Sequence, residues 1–189
     1  MKRLMLVDDE HNVVSALKRV LRASLAGDVR IECFTDPTVA LARIQEVSFD
    51  VILSDYRMPQ MNGIEFLRAA CKVQPHVVRM ILSATSDFEI VQQAINEIEI
   101  YRYLAKPWTE VELVKHVGGA LDRSEQTRTD RQLADSMRVQ QGELSVADQE
   151  MRRLEELEPG LTVVEWGPHG EVLMPDELLV FDQAPRSSN

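Results

Sequence analysis

Three aspartates each stand at the end of a short apolar run. Leu4-Met5-Leu6-Val7 leads into the adjacent pair Asp8-Asp9, and Val51-Ile52-Leu53-Ser54 leads into Asp55. Runs of this length and composition read as buried parallel strands. Open α/β sheets collect ligands at the carboxyl ends of their strands, so two such ends bring three carboxylates into one crevice. Close carboxylates raise one another's pKa unless a cation sits among them. An all-oxygen donor set with few protein groups suits Mg²⁺, which keeps several waters and completes its shell from a phosphate. The chemistry predicted from these residues is Mg²⁺-dependent phosphoryl transfer.

Two more residues belong with the acids. Ser83 closes a fourth apolar run, after Met80-Ile81-Leu82, and Lys106 closes a fifth, just before Pro107. In a parallel sheet both lie on the same edge as the aspartates. Asp55 is then a carboxylate nucleophile able to form an acyl phosphate. Asp8, Asp9 and Asp55 hold the metal, Lys106 offers a mobile cation to a phosphoryl oxygen, and the Ser83 hydroxyl donates to another. A cis Lys106-Pro107 bond is expected to aim the lysine inward. Taken singly, each has a plainer reading: an N-cap pair, a turn residue, a strand end. Joint placement at four strand ends makes the case for a site.

The elements that must position them alternate strand and helix up to about residue 122. Strands are expected at Arg3 to Val7, Val29 to Phe34, Asp50 to Ser54, Val77 to Leu82 and Ile100 to Ala105. Between them, apolar residues recur at helical spacing: Val13, Val14, Leu17, Val20 and Leu21, then Ala40, Leu41 and Ile44. Asp36-Pro37 opens the second of these helices as N-cap and first-turn proline. Asn62-Gly63 marks a turn before Ile64, Phe66, Leu67 and Ala70. Asp87 caps a helix holding Ile90, Val91, Ala94 and Ile95, and Thr109 with Glu112 forms a capping box for the last. Five strand–helix pairs predict an α/β fold, a five-stranded parallel sheet doubly wound by right-handed crossovers. The G-x-G-x-x-G and Walker fingerprints are missing.

With 189 residues, 44% of them apolar, the chain suits one ordinary domain (1–124) plus an appendage. Its net charge of -10 argues against nucleic acid and anionic membrane as partners, both of which need a basic footprint. From Glu125 onward there are 14 acidic and 6 basic residues, so the appendage is the acidic part. Cys33 and Cys71 read as buried, reduced thiols. With no disulfide framework, no signal-type apolar core and no 18-residue apolar span, a cytoplasmic location is expected.

Residues 125–158 are polar and helix-favouring. Leu133, Met137, Gln140, Leu144, Ala147, Met151 and Leu154 are spaced as a heptad seam, while Gly142 and Ser145 can break the stretch into two helices. A self-associating coiled coil and a helical hairpin packed on its own chain are both open. Pro159-Gly160 stops the helix. Leu161 to Trp166 and Glu171 to Met174 flank a Gly/Pro turn, so residues 159–182 read as a β-hairpin, which needs a surface to pack on. Residues 183–189 read as disordered.

From Lys2 to about Ser124 the chain resembles the receiver domain of two-component response regulators. Leu6-Val7-Asp8-Asp9-Glu10 is similar to that family's acidic pair. The most specific match is Asp55-Tyr56-Arg57-Met58-Pro59-Gln60-Met61-Asn62-Gly63, which resembles its phosphoacceptor loop. Ser83-Ala84 and Tyr103-Leu104-Ala105-Lys106-Pro107 resemble its two remaining signatures. The resemblance implies a flavodoxin-like receiver fold and a sensor histidine kinase or phosphotransfer protein as donor to Asp55. It also implies Mg²⁺ on Asp8, Asp9, Asp55 and the Arg57 carbonyl. Ser83 would move toward the phosphoryl group and Tyr103 would rotate inward. The fifth strand and the helices either side of it would be remodelled, biased by one dianionic group. His11 reads as a solvent-side helix-start residue, not a ligand; Arg57 and Thr85 flank the site. The Trp108 after Lys-Pro looks like a subgroup joined to outputs other than DNA binding.

A signalling receiver with a non-enzymatic extension that dimerises or docks an unknown effector is the reading this supports. A DNA-binding transcriptional regulator would need a helix-turn-helix and a basic face, which residues 123–189 lack. A Mg²⁺-dependent phosphohydrolase with an aspartate nucleophile would carry a second acid two residues later, where Arg57 stands.

Overall fold

The computed structural model describes residues 1–25, 27–84 and 98–159. Its elements run β1 (Lys2–Val7), α1 (His11–Ser24), β2 (Val29–Phe34), α2 (Pro37–Glu46), β3 (Val51–Asp55), α3 (Gly63–Val73), β4 (Val78–Ala84), β5 (Arg102–Lys106), then α4 (Glu110–Gln140) and α5 (Val146–Leu157). The strands form one five-stranded parallel sheet in the order β2-β1-β3-β4-β5. This is the doubly wound sheet that the alternating pattern predicts, and it agrees with the flavodoxin-like receiver fold that the resemblance implies. The strand order reverses between β1 and β3, which is where such sheets open a ligand crevice at their carboxyl edge.

The period-two alternation of a strand divides the core. Leu4 and Leu6 of β1 face a cluster completed by α1 and α4. Met5 and Val7 face one completed by α2 and α3. Covering both faces keeps every residue of β3 buried, which is why its sequence reads as a continuous apolar run rather than an alternating one.

The caps follow the sequence with one exchange. Asp36 accepts from Thr38 N at the start of α2. Thr109 accepts from Glu112 N, but the Glu112 carboxylate takes the Thr109 hydroxyl rather than a backbone N–H, so this end is capped one way only. The reciprocal capping box is at α3. Asn62 accepts from Ile64 N and Glu65 N, and Glu65 Oε2 accepts from Asn62 N. An Asn-Gly pair read as a turn is in fact a helix start.

α4 does not stop near residue 122. It crosses the expected boundary at 124 and runs on to Gln140, burying Leu113, Val117, Ala120, Leu121 and Ser124 and then leaving the sheet. Gly142 takes a left-handed φ of 75°, which glycine adopts at no steric cost, and Ser145 caps α5. The chain therefore takes the helical hairpin, the second of the two alternatives. Arg131 Nη1 lies 2.7 Å from Glu156 Oε1, and Asp135 Oδ1 lies 3.3 Å from Arg152 Nη1. Leu133 and Met137, both heptad positions, are exposed on α4.

Both cysteines are free but only half-buried, a correction to the fully buried reading. Arg79 Nη1 donates to Cys71 Sγ at 2.8 Å. Among the described residues no helix is long and apolar enough to cross a membrane. Thr85, the helix expected after Asp87, the 159–182 hairpin beyond Pro159 and the 183–189 tail lie outside the described residues.

Candidate functional site

Register brings the predicted residues to one edge. Val7 pairs with Ser54, so Asp8 and Asp55, each one residue further on, leave their strands at the same level. Asp55 pairs with Leu82, which puts Ser83 one residue beyond it, and Ala84 pairs with Lys106. The Lys106–Pro107 bond is cis.

Asp8 is 1% exposed and Asp55 5%. Lys106 Nζ donates to Asp8 Oδ2 at 2.7 Å and lies 2.5 Å from Asp55 Oδ1. The other oxygen of each carboxylate is held by the loop that follows it. Asp8 Oδ1 accepts from Glu10 N at 3.0 Å, and Asp55 Oδ2 accepts from Arg57 N at 2.7 Å. One ammonium thus bridges two buried carboxylates, and the main chain fixes both in rotation.

The charges do not balance. Burial pushes the Asp55 carboxyl above the usual carboxylate range. Lys106 and the Arg57 N–H pull it back, while the Asp8 charge pushes it up again. For Lys106, burial favours the neutral amine, but the bonds and charges of Asp55 and Asp8 together outweigh it and raise its pKa. Two carboxylates sharing one cation leave a negative pocket, and an oxygen-only pair of carboxylates fits Mg²⁺, which needs one or two from the protein. Asp9 stands apart: it is exposed at the rim. Among the described residues no three acids, imidazoles or thiols gather into a metal-holding group. The structure brings Asp8, Asp55 and Lys106 together and leaves Asp9 outside that contact.

Ser83 is buried at the end of β4. The Tyr103 hydroxyl donates to Ala84 O at 3.1 Å and to Ser83 O at 3.3 Å, so the ring is tied to the same strand end. Arg57 is exposed, and His11 is exposed at the first position of α1 as expected.

Sequence reasoning missed what Gly63 does. A Cβ there would collide with the carbonyl oxygen of Asp55 and come 3.1 Å from Ser54 Oγ. Gly63 N donates to Tyr56 O at 2.9 Å. The absent side chain lets the start of α3 press on the backbone of Asp55. The Asn-Gly dipeptide was the available signal. A dipeptide predicts a local turn, whereas the contact of Gly63 spans eight residues to Asp55.

A model of the response regulator receiver domain family matches residues 4–118. The hydrogenase transcriptional regulatory protein HoxA of Bradyrhizobium diazoefficiens is 36% identical over 118 residues, which cover 62% of this chain and 24% of that one. The cyclic di-GMP phosphodiesterase response regulator RpfG of Xanthomonas campestris pv. campestris is 30% identical over 71% of this chain and 35% of its own. The chain therefore spans only a fraction of the length of these relatives. Among solved structures, the signal receiver domain of an HD domain-containing protein from Pseudomonas fluorescens superposes with a TM-score of 0.61 at 30% identity, covering 66% of this chain and 98% of that one. The adenylate cyclase structure from Rhodopirellula baltica gives 0.65 at 28% identity, covering 70% and 96%.

Proposed function

We propose that this chain, which belongs to the response regulator receiver domain family, accepts a phosphoryl group on Asp55 from the phosphohistidine of a sensor kinase or phosphotransfer protein. The observation that carries this is the Lys106 bridge between Asp55 and Asp8. It holds the one carboxylate that ends a fully buried strand at the mouth of the crevice. The backbone fixes one oxygen and a mobile cation sits on the other.

In the transfer, an Asp55 carboxylate oxygen attacks phosphorus. A P–O bond forms as the P–N bond to the donor imidazole breaks, and the nitrogen keeps the electron pair. Asp8, Asp9 and the Arg57 carbonyl, with Asp55 itself, are the groups that would hold Mg²⁺, which when bound offsets the charge of the phosphoryl oxygens. Lys106 stays within reach of the new phosphoryl group and Ser83 donates to it. Tyr103, tied to the carbonyls of Ser83 and Ala84, follows the movement of that strand end.

The output we propose is a change in a protein-interaction or dimerisation surface in the cytoplasm, with no catalysis beyond transfer to and hydrolysis from Asp55. Transcription and cyclic di-GMP hydrolysis are in the names of relatives of which the match covers 24% and 35%. Incubation with acetyl phosphate tests the acceptor reading. Mg²⁺-dependent mass gain at one phosphoryl group per chain is expected, and equal gain with excess chelator contradicts it.

A further inference from the structure

Every residue of β3 is buried, and its sequence is Val51-Ile52-Leu53-Ser54-Asp55. Ser54 is its one polar residue outside the site described above, and it is 0% exposed. A buried hydroxyl costs free energy unless it is hydrogen-bonded. This one is: Ser54 Oγ donates to Asp55 O at 2.9 Å. Ile52 faces the cluster completed by α2 and α3, and Ser54, two residues on, takes the same face. It lies under the start of α3, where a Cβ on Gly63 would come 3.1 Å from its Oγ. The close fit accounts for a small side chain at position 54. It does not account for a hydroxyl, because alanine is smaller still.

The hydroxyl acts on one peptide plane. The Asp55–Tyr56 peptide carries two polar groups, and both are held. Tyr56 N donates to Leu82 O of β4 at 2.9 Å, and Asp55 O accepts from Ser54 Oγ. With both ends fixed, the plane cannot tilt. The next residues follow from it. Tyr56 O accepts from Gly63 N at 2.9 Å, and Arg57 N turns back to Asp55 Oδ2 at 2.7 Å. Without the hydroxyl the plane keeps its β4 anchor but is free to tilt. Such a tilt moves Arg57 N, and with it the rotation of the Asp55 carboxylate.

We infer that Ser54 is a positioning residue for phosphoryl transfer to Asp55. Its hydroxyl sets the Asp55–Tyr56 plane, and through Arg57 N that plane sets the direction from which the Asp55 oxygen meets phosphorus. The inference rests on the reading of Asp55 as the phosphoacceptor. Ser54 Oγ bonds the main chain of Asp55, so its effect is on orientation, to which a displacement at phosphorus is sensitive.

The full-length parent, Ser54→Ala and Ile44→Val are each given acetyl phosphate in saturating Mg²⁺. The initial rate of acyl phosphate formation at Asp55 is followed across acetyl phosphate concentrations. Ser54→Ala should lose about tenfold in maximal rate, with half-saturation within about twofold of the parent's. In ¹⁵N-labelled protein the same change should move the Arg57 amide resonance. Ile44 is buried near the amino-terminal end of β3, where Gln74 joins its carbonyl to Phe49 N. Trimming it to valine loosens the core and should leave the maximal rate alone. A Ser54→Ala maximal rate equal to the parent's, or an unmoved Arg57 amide, overturns the inference and leaves Asp55 standing as the acceptor. A loss that Ile44→Val shares, or one confined to half-saturation, overturns it too, since stability or binding would then be the cause. A parent that forms no acyl phosphate at Asp55 overturns the acceptor reading, and this inference falls with it.

Discussion

Gly63 and Asp55 are eight residues apart, yet a side chain on Gly63 would run into the carbonyl oxygen of Asp55. The backbone of Asp55, the proposed phosphoacceptor, is therefore set from two directions, by the pairing of β3 and by the first turn of α3. Gly63→Ala should move the Asp55 carbonyl or uncap α3, at a cost of about 1–3 kcal/mol. The rate of phosphorylation should fall with it. Chemical denaturation and an acetyl phosphate time course check the two effects. Unchanged values in both would mean that the contact relaxes freely.

Lys106→Ala removes the cation between two buried carboxylates. Leaving buried charge uncompensated costs roughly 3 kcal/mol or more, so the metal-free variant should unfold at clearly lower denaturant than the parent. Mg²⁺ should recover much of that loss, because Asp8 and Asp55 remain in place. A variant as stable as the parent without metal would show that the bridge contributes little.

The raised pKa of Asp55 gives stability a definite sign with pH. A carboxyl whose folded-state pKa lies above its unfolded value is at its best when protonated, and its ionisation costs stability. In metal-free buffer, Asp55→Asn should match the parent below the ordinary carboxylate range. It should gain on the parent as pH rises through the folded pKa of Asp55, then hold a constant lead. Burial, the largest cause of the shift, is what asparagine escapes. Thermal melts across that range decide it, and an advantage that grows toward acid contradicts the assignment.

Tyr103→Phe deletes a half-buried hydroxyl whose acceptors are the Ala84 and Ser83 carbonyls. Loss of such a bond costs about 1 kcal/mol. Phosphorylation of Asp55 should proceed at the parent rate, because the hydroxyl contacts neither Asp55 nor Lys106. Partner binding should respond less to phosphorylation. A slowed transfer would instead place Tyr103 in the chemistry.

The sheet was legible because a strand covered on both faces must be apolar where it is buried, and the runs at residues 4–7, 51–53 and 80–82 are. The edge strand β5 gives a weaker signal, and it begins at Arg102 rather than Ile100. Asp8, Asp55, Ser83 and Lys106 were legible because strand ends in a parallel sheet share an edge whatever the loops do. The two-way clamp on each carboxylate was not, since Glu10 and Arg57 contribute backbone N–H groups that no side chain announces. The path of α4 was hidden for a related reason. Its polar second half looks like a solvent helix, and the Asp50 carboxylate that receives Ser124 Oγ and Arg128 Nη1 lies 74 and 78 residues away in sequence.

The central claim is that Asp55 is the residue phosphorylated. Transfer from a phosphorylated histidine kinase in Mg²⁺, followed by hydroxylamine trapping and peptide mapping, tests it most directly. The predicted result is a single hydroxylamine-reactive acyl phosphate at Asp55, missing from Asp55→Asn and from chelator-treated protein. An Asp55→Asn chain that still takes up phosphate as fast and as fully as the parent would contradict it.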